Sequence, residues 1–410
     1  MTTEEKHQKG KHTVIVGAGF FGVRTALDLA KKDKNHRITI IDKHPFMTYY
    51  PALYRVATGS SPVIARIPLS DIFSRYPQIT LVQDTVASID LDGKKVVGTH
   101  ASYPYDYLVL GLGSVPRQFD IEGTKEISYS FLTMTESLKL RKHVDEMFSC
   151  ASTQEPEKNL MGLHFIVVGG GASGVELAGE LAAYVCHCAD GYCIDRSLIT
   201  IDLFDSKPRI LGRLPESVSR AVTLRLRKLG VYVHCNRRLK GGTEDSGVLF
   251  EDMSMKSQTI IWTAGTQVHP LYETVPDFTL TEHRRIQVDA LLRPSGEKYP
   301  EVFIGGDAAD TKNAGLAQTA ITDGGFVAKT IHCLIHQKKL PVYRAGSVAH
   351  SIPVGPGWGV FSWHGVTWSG WSAWVLRYLI DLHFYFSILS YTKVMTLLRK
   401  ARNAQNMPHK

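Results

Sequence analysis

Thr13-Val-Ile-Val-Gly17-Ala-Gly19-Phe-Phe-Gly22-Val-Arg-Thr-Ala-Leu-Asp-Leu29 decides the fold: a β-branched run turns through three glycines into a stretch of helical apolar period. That is the strand, tight turn and helix of a dinucleotide-binding unit. The glycines serve the turn, a close backbone approach to pyrophosphate and close packing of helix on strand. The phosphates rest on the free N–H groups and positive dipole end of the helix. A second buried strand, Arg37-Ile-Thr-Ile-Ile-Asp42, follows. It ends in a carboxylate about 20 residues past Gly22, the distance expected for an acid that holds ribose hydroxyls.

A second copy stands at Leu163-His-Phe-Ile-Val-Val-Gly169-Gly-Gly171-Ala-Ser-Gly174-Val-Glu176-Leu-Ala-Gly-Glu180, and its ribose acid is Asp205, closing Ile199-Thr-Ile-Asp-Leu-Phe-Asp205. One such signature is weak, but two in strand-to-helix context predict an α/β fold with two Rossmann-like domains and two dinucleotides. An acid at position 205 favours NADH over NADPH, whose 2′-phosphate it repels, although Lys207 and Arg209 soften that preference. Two more strand-to-turn segments, Tyr107–Pro116 with Gly113 and Thr259–Thr266 with Gly265, place small residues where backbone passes close to a ligand. Asp307, after Val302-Phe-Ile-Gly-Gly, fits either an acceptor for a flavin's ribityl hydroxyls or a cap on the next helix.

This order implies an insertion: a first nucleotide domain over residues 11–154, a second over 155–275, a return to the first over 276–345, and a C-terminal region over 346–410. Glu155, Pro156, Glu157 and Lys158 read as the entry linker, and residues 268–285 as the exit. The 410 residues are 44% hydrophobic and 21% charged, which excludes disorder and allows two or three cores. The net charge of +8 suits dinucleotide phosphates or acidic lipid, and no nucleic acid is expected as a partner. The first residues hold no apolar run, so a cytoplasmic placement is expected. The six cysteines form no C-x-x-C or C-x-x-x-x-C pair, and the spacing of Cys186, Cys188 and Cys193 matches no familiar metal set. Free thiols and no metal are expected.

Beyond the two signatures, Asp42-Lys-His-Pro-Phe-Met-Thr-Tyr-Tyr-Pro51-Ala-Leu-Tyr54-Arg-Val-Ala-Thr-Gly59, Ile64-Ala-Arg-Ile-Pro68-Leu, Asp205-Ser-Lys-Pro-Arg-Ile-Leu211 and Gly315-Leu-Ala-Gln318-Thr-Ala resemble the type II NADH:quinone oxidoreductases. These are single-subunit flavoproteins, and the likeness covers residues 11 to 404. It implies FAD contacts from Gly17, Ala18, Gly19, Phe20, Phe21, Gly22, Asp42, Lys43, Thr48, Val86, Gly113, Asp307, Ala317 and Gln318. It implies NADH contacts from Gly169, Gly171, Gly174, Glu176, Asp205 and Gly265. Ala317 and Gln318 would lie beside the flavin and line the quinone site; the family often carries further glutamines where this chain has Thr322 and Asp323. Glu176 matches a glutamate near the nicotinamide, and equally fits a carboxylate that complements a helix dipole. The disulfide reductases of this fold class carry a cysteine pair near Tyr50 to Tyr54, absent here.

Ala345 to Leu376 contains no Asp, Glu, Lys or Arg, but Pro353, Pro356 and several glycines break it into an aromatic, turn-rich segment too interrupted for a spanning helix. Trp358, Trp363, Trp368, Trp371 and Trp374 fall within it. Trp371, Trp374, Val375, Tyr378, Leu379, Leu382 and Phe386 then recur at helical spacing, with Ser372, Arg377 and Asp381 opposite. Lys393, Arg399, Lys400, Arg402 and Lys410 follow without an acid. A monotopic anchor on anionic lipid fits, as does a dimerisation helix or a core lid; the resemblance favours the anchor, and implies a homodimer. The expectation is a peripheral NADH:quinone oxidoreductase on the cytoplasmic side of the membrane that pumps no protons, with Glu176 and Gln318 nearest the chemistry. The competing readings are a sulfide:quinone oxidoreductase and a low-turnover signalling flavoprotein related to apoptosis-inducing factor.

Overall fold

The computed structural model describes residues 11–116, 128–153, 162–243, 247–251, 253–296 and 298–405. They fall into two contact units, one within 1–47, 67–115 and 267–348, the other within 48–66, 116–266 and 349–410. The expected linker at 155–158 lies outside the described residues. Residues 48–66, counted from sequence with the first nucleotide domain, make their contacts in the second unit, as does the C-terminal region.

The first unit is built on a five-stranded parallel sheet in the order Val302–Ile304, Tyr107–Leu110, His12–Val16, Arg37–Asp42, Ile79–Gln83. Its central strands are continuous apolar runs because both faces are covered; Val14, Ile15 and Val16 are fully buried. Helices Phe20–Lys32 and Ala317–Ile335 pack closely, and Gly324 permits it: a Cβ there would meet Phe21 O at 2.7 Å. Strand order reverses beside the central strand, which pairs with Arg37–Asp42 on one side and Tyr107–Leu110 on the other. That switch point opens the crevice in which such sheets hold ligands.

The second unit repeats the plan with Ser128–Tyr129, Thr259–Trp262, His164–Val168, Thr200–Phe204 and Val231–His234, again all parallel. These strands lie, in sequence, between the fourth and fifth strands of the first sheet. Helix Ala172–Tyr192 covers one face; Leu239, Val248 and Phe250 of a small meander close the other over Phe204. The segment read as aromatic turns is an antiparallel meander, His350–Pro353, Gly359–Trp363 and Val366–Gly370, followed by helices Trp371–Ile388 and Tyr391–Gln405. Among the described residues no helix is long and apolar enough to cross a membrane.

Candidate functional site

All five strands of each sheet run the same way, so the turns that follow them gather at one edge. In the first unit this brings together residues 17–22, Asp42, Gly113 and Asp307; in the second, residues 169–174, Asp205 and Gly265. The two glycine turns are near copies. Gly17 and Gly169 sit at φ +96° and +116°. A Cβ on Gly22 would lie 2.0 Å from Gly17 O, and one on Gly174 1.9 Å from Gly169 O, whereas a Cβ on Gly19 or Gly171 meets nothing within 4 Å. Protein closes around the first and third glycines and leaves the middle one open. No side chain caps either helix, so the first-turn N–H groups face that opening.

The acids repeat as well. Asp42 accepts from Ala18 N (2.7 Å) and His44 N (2.8 Å); Asp205 accepts from Gly170 N (2.9 Å) and Lys207 N (2.8 Å). Each oxygen keeps a second lone pair for a ribose hydroxyl. The open middle glycines, uncapped helices and oriented acids fit two dinucleotides. Arg209 donates to Leu211 O and Gly212 O, which occupies its guanidinium within its own loop.

Phe20 and Phe21 are buried; the Phe21 ring fills the space that side chains on Gly111 and Gly305 would need, so it packs the turns together. Gly113 has φ +70° and open space at its Cβ, and Gly265 has φ +78°. Lys43 is exposed, Val86 is half-buried at the start of strand Val86–Asp90, and half-buried Thr48 falls in the second unit. Asp307 belongs to a turn of its own, Gly306–Ala308, and receives a hydrogen bond from Ser114 Oγ at 2.9 Å. It does not cap helix Ala317–Ile335, whose N-cap is Leu316. Burial pushes its carboxyl above the ordinary range, against Ser114 and Arg285. Ala317 and exposed Gln318 open that helix, and Thr322 Oγ1 bonds back to Gln318 O at 2.9 Å. Asp323, fully buried, accepts from Gly306 N (3.0 Å) and Tyr343 OH (2.7 Å) and so holds the turn that carries Asp307.

Sequence reasoning missed a buried charge cluster in the second unit. Asp381 accepts from Tyr49 OH and from Arg55 NH2, each at 2.5 Å, and faces Arg377 Nε at 3.2 Å. Arg377 also donates to Pro51 O (2.9 Å) and Ser351 O (3.2 Å) and lies 3.9 Å from Glu176 Oε1. The Glu176 side chain is 13% exposed and stands beside the Arg377 guanidinium. Burial pushes its carboxyl up to about 7, with Arg377 and Arg55 pulling the other way. Helix Trp371–Ile388 has the expected two faces: Asp381 is buried, while Trp371, Tyr378, Leu379 and Phe386 are 68%, 41%, 54% and 40% exposed. Trp363, Val366, Tyr391 and Met395 of the flanking elements are exposed as well. The six cysteines are separate thiols; Cys188 is buried beside Asp145 and Cys193 is exposed.

The chain is 29% identical to the type II NADH:quinone oxidoreductase of Mycobacterium tuberculosis, over 94% of this chain and 86% of that one. It is 27% identical to the type II NADH:quinone oxidoreductase of Staphylococcus aureus, over 80% and 84%. In fold it is similar to NDH2 from Plasmodium falciparum, solved in complex with NADH, with a TM-score of 0.84 at 16% identity over 97% of this chain and 98% of that one. The resemblance read from the motifs thus extends to whole relatives. Residues 11–324 match the model of one family, and with both its glycine turns and both its ribose acids in place the chain belongs to that family, the pyridine nucleotide-disulphide oxidoreductases.

Proposed function

We propose that the chain is an FAD-dependent NADH:quinone oxidoreductase that works at a membrane surface. The observation that carries this reading is the doubled glycine-and-acid site, in a chain without the redox cysteine pair of disulfide reductases and with type II NADH:quinone oxidoreductases among its relatives. FAD, when bound, supplies hydride acceptance from the nicotinamide and two-electron delivery to a quinone. The protein's task is to bind and orient. Gly17, Gly19, Gly22 and Asp42 are the pyrophosphate and ribose contacts for FAD, with Ala18, Lys43, Val86, Gly113, Asp307, Ala317 and Gln318 of the same unit completing its surroundings. Gly169, Gly171, Gly174, Asp205 and Gly265 hold NADH, and Glu176 stands one turn into the same helix. Anaerobic stopped-flow tests the reading: NADH bleaches the flavin band rapidly and a short-chain quinone restores it. Bleaching by sulfide instead, or only slow bleaching by NADH, overturns it.

Asp205 sets the preference for NADH. In Asp205→Ser the carboxylate that repels a 2′-phosphate is gone while Lys207 remains, so the ratio of kcat/KM for NADPH over NADH should rise about tenfold or more. An unchanged ratio removes Asp205 from the ribose site.

The membrane reading rests on the outward apolar face of helix Trp371–Ile388 and on Lys393, Arg399, Lys400 and Arg402 beyond it. Trp371→Ser, Leu379→Ser and Phe386→Ser together leave the buried charges in place and should move the protein from the pellet to the supernatant when sedimented with anionic vesicles. Full retention on the vesicles overturns the anchor. Pairing with a second copy of the chain is what the resemblance implies.

A further inference from the structure

The first sheet ends on strand Ile79–Gln83, which runs parallel to Arg37–Asp42 with Gln83 level with the ribose acid Asp42. The next residue, Asp84, donates its N–H to Asp42 O at 3.1 Å and is itself 4% exposed. Its carboxylate accepts from Thr85 N (2.8 Å), Thr99 N (3.1 Å), Thr99 Oγ1 (2.6 Å), His100 N (3.3 Å), His100 Nδ1 (2.9 Å) and Tyr103 OH (2.7 Å). The Thr99 hydroxyl, helped by Tyr103 and His100, holds this carboxyl well below the usual range against the cost of burial, so the donors gather round an anion. Gly98 makes the room: a Cβ there would lie 2.0 Å from Asp84 Oδ2. These donors sit on an antiparallel meander, Val86–Asp90, Lys95–Gly98 and Ser102–Pro104. The body of the meander is anchored elsewhere, because Val96 and Leu91 are buried in the core of the first unit with Leu108 and Tyr272. Asp84 therefore fixes one end of it, where residues 84–86 leave the sheet beside Asp42.

We propose that Asp84 is a positioning residue for the adenosine half of FAD. The proposal rests on the FAD part of the reading above. The glycine turn follows the central strand and Asp42 follows its neighbour, so pyrophosphate and ribose run outward across the sheet edge in that order. The adenine, on the far side of the ribose, then falls over residues 84–86, the segment that Asp84 ties to Thr99, His100 and Tyr103. The second unit lacks this device. Beyond its ribose acid the corresponding stretch is Cys235-Asn236-Arg237-Arg238, with no acid, and its backbone bonds run from Asn236 N to Lys207 O (2.9 Å) and from Arg237 N to Asp205 O (3.0 Å). The difference matches the two ligands. NADH must leave after each turnover, whereas FAD must stay, and a segment held rigid beside the adenosine lowers the ordering cost of binding and slows release.

The test uses the full chain loaded with FAD and follows the fluorescence of flavin released on dilution. Asp84→Asn should release FAD about tenfold faster, the low end for hydrogen bonds to a charged group. Thr99→Val, at an exposed position, should release it about threefold faster, as expected for one lost bond, and Thr99→Ser should restore the wild-type rate. Competition with FAD rebinding separates positioning from general loosening, since ADP carries the adenosine without the flavin and FMN the flavin without the adenosine. Against Asp84→Asn, ADP should be needed at about tenfold higher concentration than against the wild type, and FMN at the same concentration. FAD release from Asp84→Asn at the wild-type rate, or equal weakening of ADP and FMN, overturns the proposal. If Asp84→Asn does not fold, the same release and competition measurements on Thr99→Val and Thr99→Ser decide. A wild-type chain that holds no FAD defeats the FAD reading and the proposal with it; a wild-type chain that holds FAD no better than these variants defeats the proposal alone.

Discussion

Asp381→Asn is expected to lower the unfolding free energy by about 3–5 kcal/mol, the range for removing one partner of a buried ion pair. Asp381 is 4% exposed and Arg55 8%, so neither guanidinium facing the lost charge gains water in exchange. Asparagine keeps the shape and one acceptor oxygen, which leaves Arg55 and Arg377 with a dipole where each had an anion. The loss should reach beyond its own helix, because the bonds it breaks join that helix to Tyr49 and Arg55, and Arg377 in turn holds Pro51 and Ser351. Denaturant unfolding measures it. Glu146→Gln is the control: its pair with Lys142 is 3.4 Å long and more than half exposed at both ends, and such pairs contribute about 0–1 kcal/mol. Equal effects from the two substitutions would mean that the interior around Asp381 is wet.

That network also marks where the sequence stops being readable. The glycine turns and ribose acids are legible because everything they need lies within one strand, one turn and one helix; Gly17 to Asp42 is a local statement about backbone space and charge. Asp381 reaches Tyr49 and Arg55 across 332 and 326 residues, and no periodicity records such a partner. The two faces of helix Trp371–Ile388 could be read from spacing. That the charged side turns inward depends on Tyr49, Arg55 and Glu176, which other segments supply. The meander before it carried a signal that went unread: His364 and Gly365, both at positive φ, make a two-residue hairpin turn between Trp363 and Val366, and a residue followed by glycine between alternating strands is its usual form. Asp323 departs from the glutamine that the resemblance implies there, and only the fold reveals that its carboxylate holds the Gly306 turn.

Gly174→Ala and Gly22→Ala should separate the two nucleotides. In each case the new methyl group would lie about 2 Å from a backbone oxygen, 1.9 Å from Gly169 O and 2.0 Å from Gly17 O. Neither oxygen can swing aside, because Gly169 N and Gly17 N are bonded to Phe204 O and Ile41 O of the neighbouring strands, each at 2.8 Å. The helix must therefore back away from its turn by more than about 1 Å before ordinary contact is restored, and that displacement carries the first-turn N–H groups off the pyrophosphate. A misplacement of about 1 Å costs on the order of a hundredfold where orientation matters. Gly174→Ala should be purified yellow, yet need about a hundredfold more NADH to bleach at the wild-type rate. Gly22→Ala should be purified largely colourless. The two outcomes differ because the same clash occurs in two separate sheets, so each variant serves as the other's control for general unfolding. If Gly174→Ala bleached at wild-type NADH concentrations, the second glycine turn would not be where NADH binds, and the assignment of Asp205 and Glu176 would fall with it.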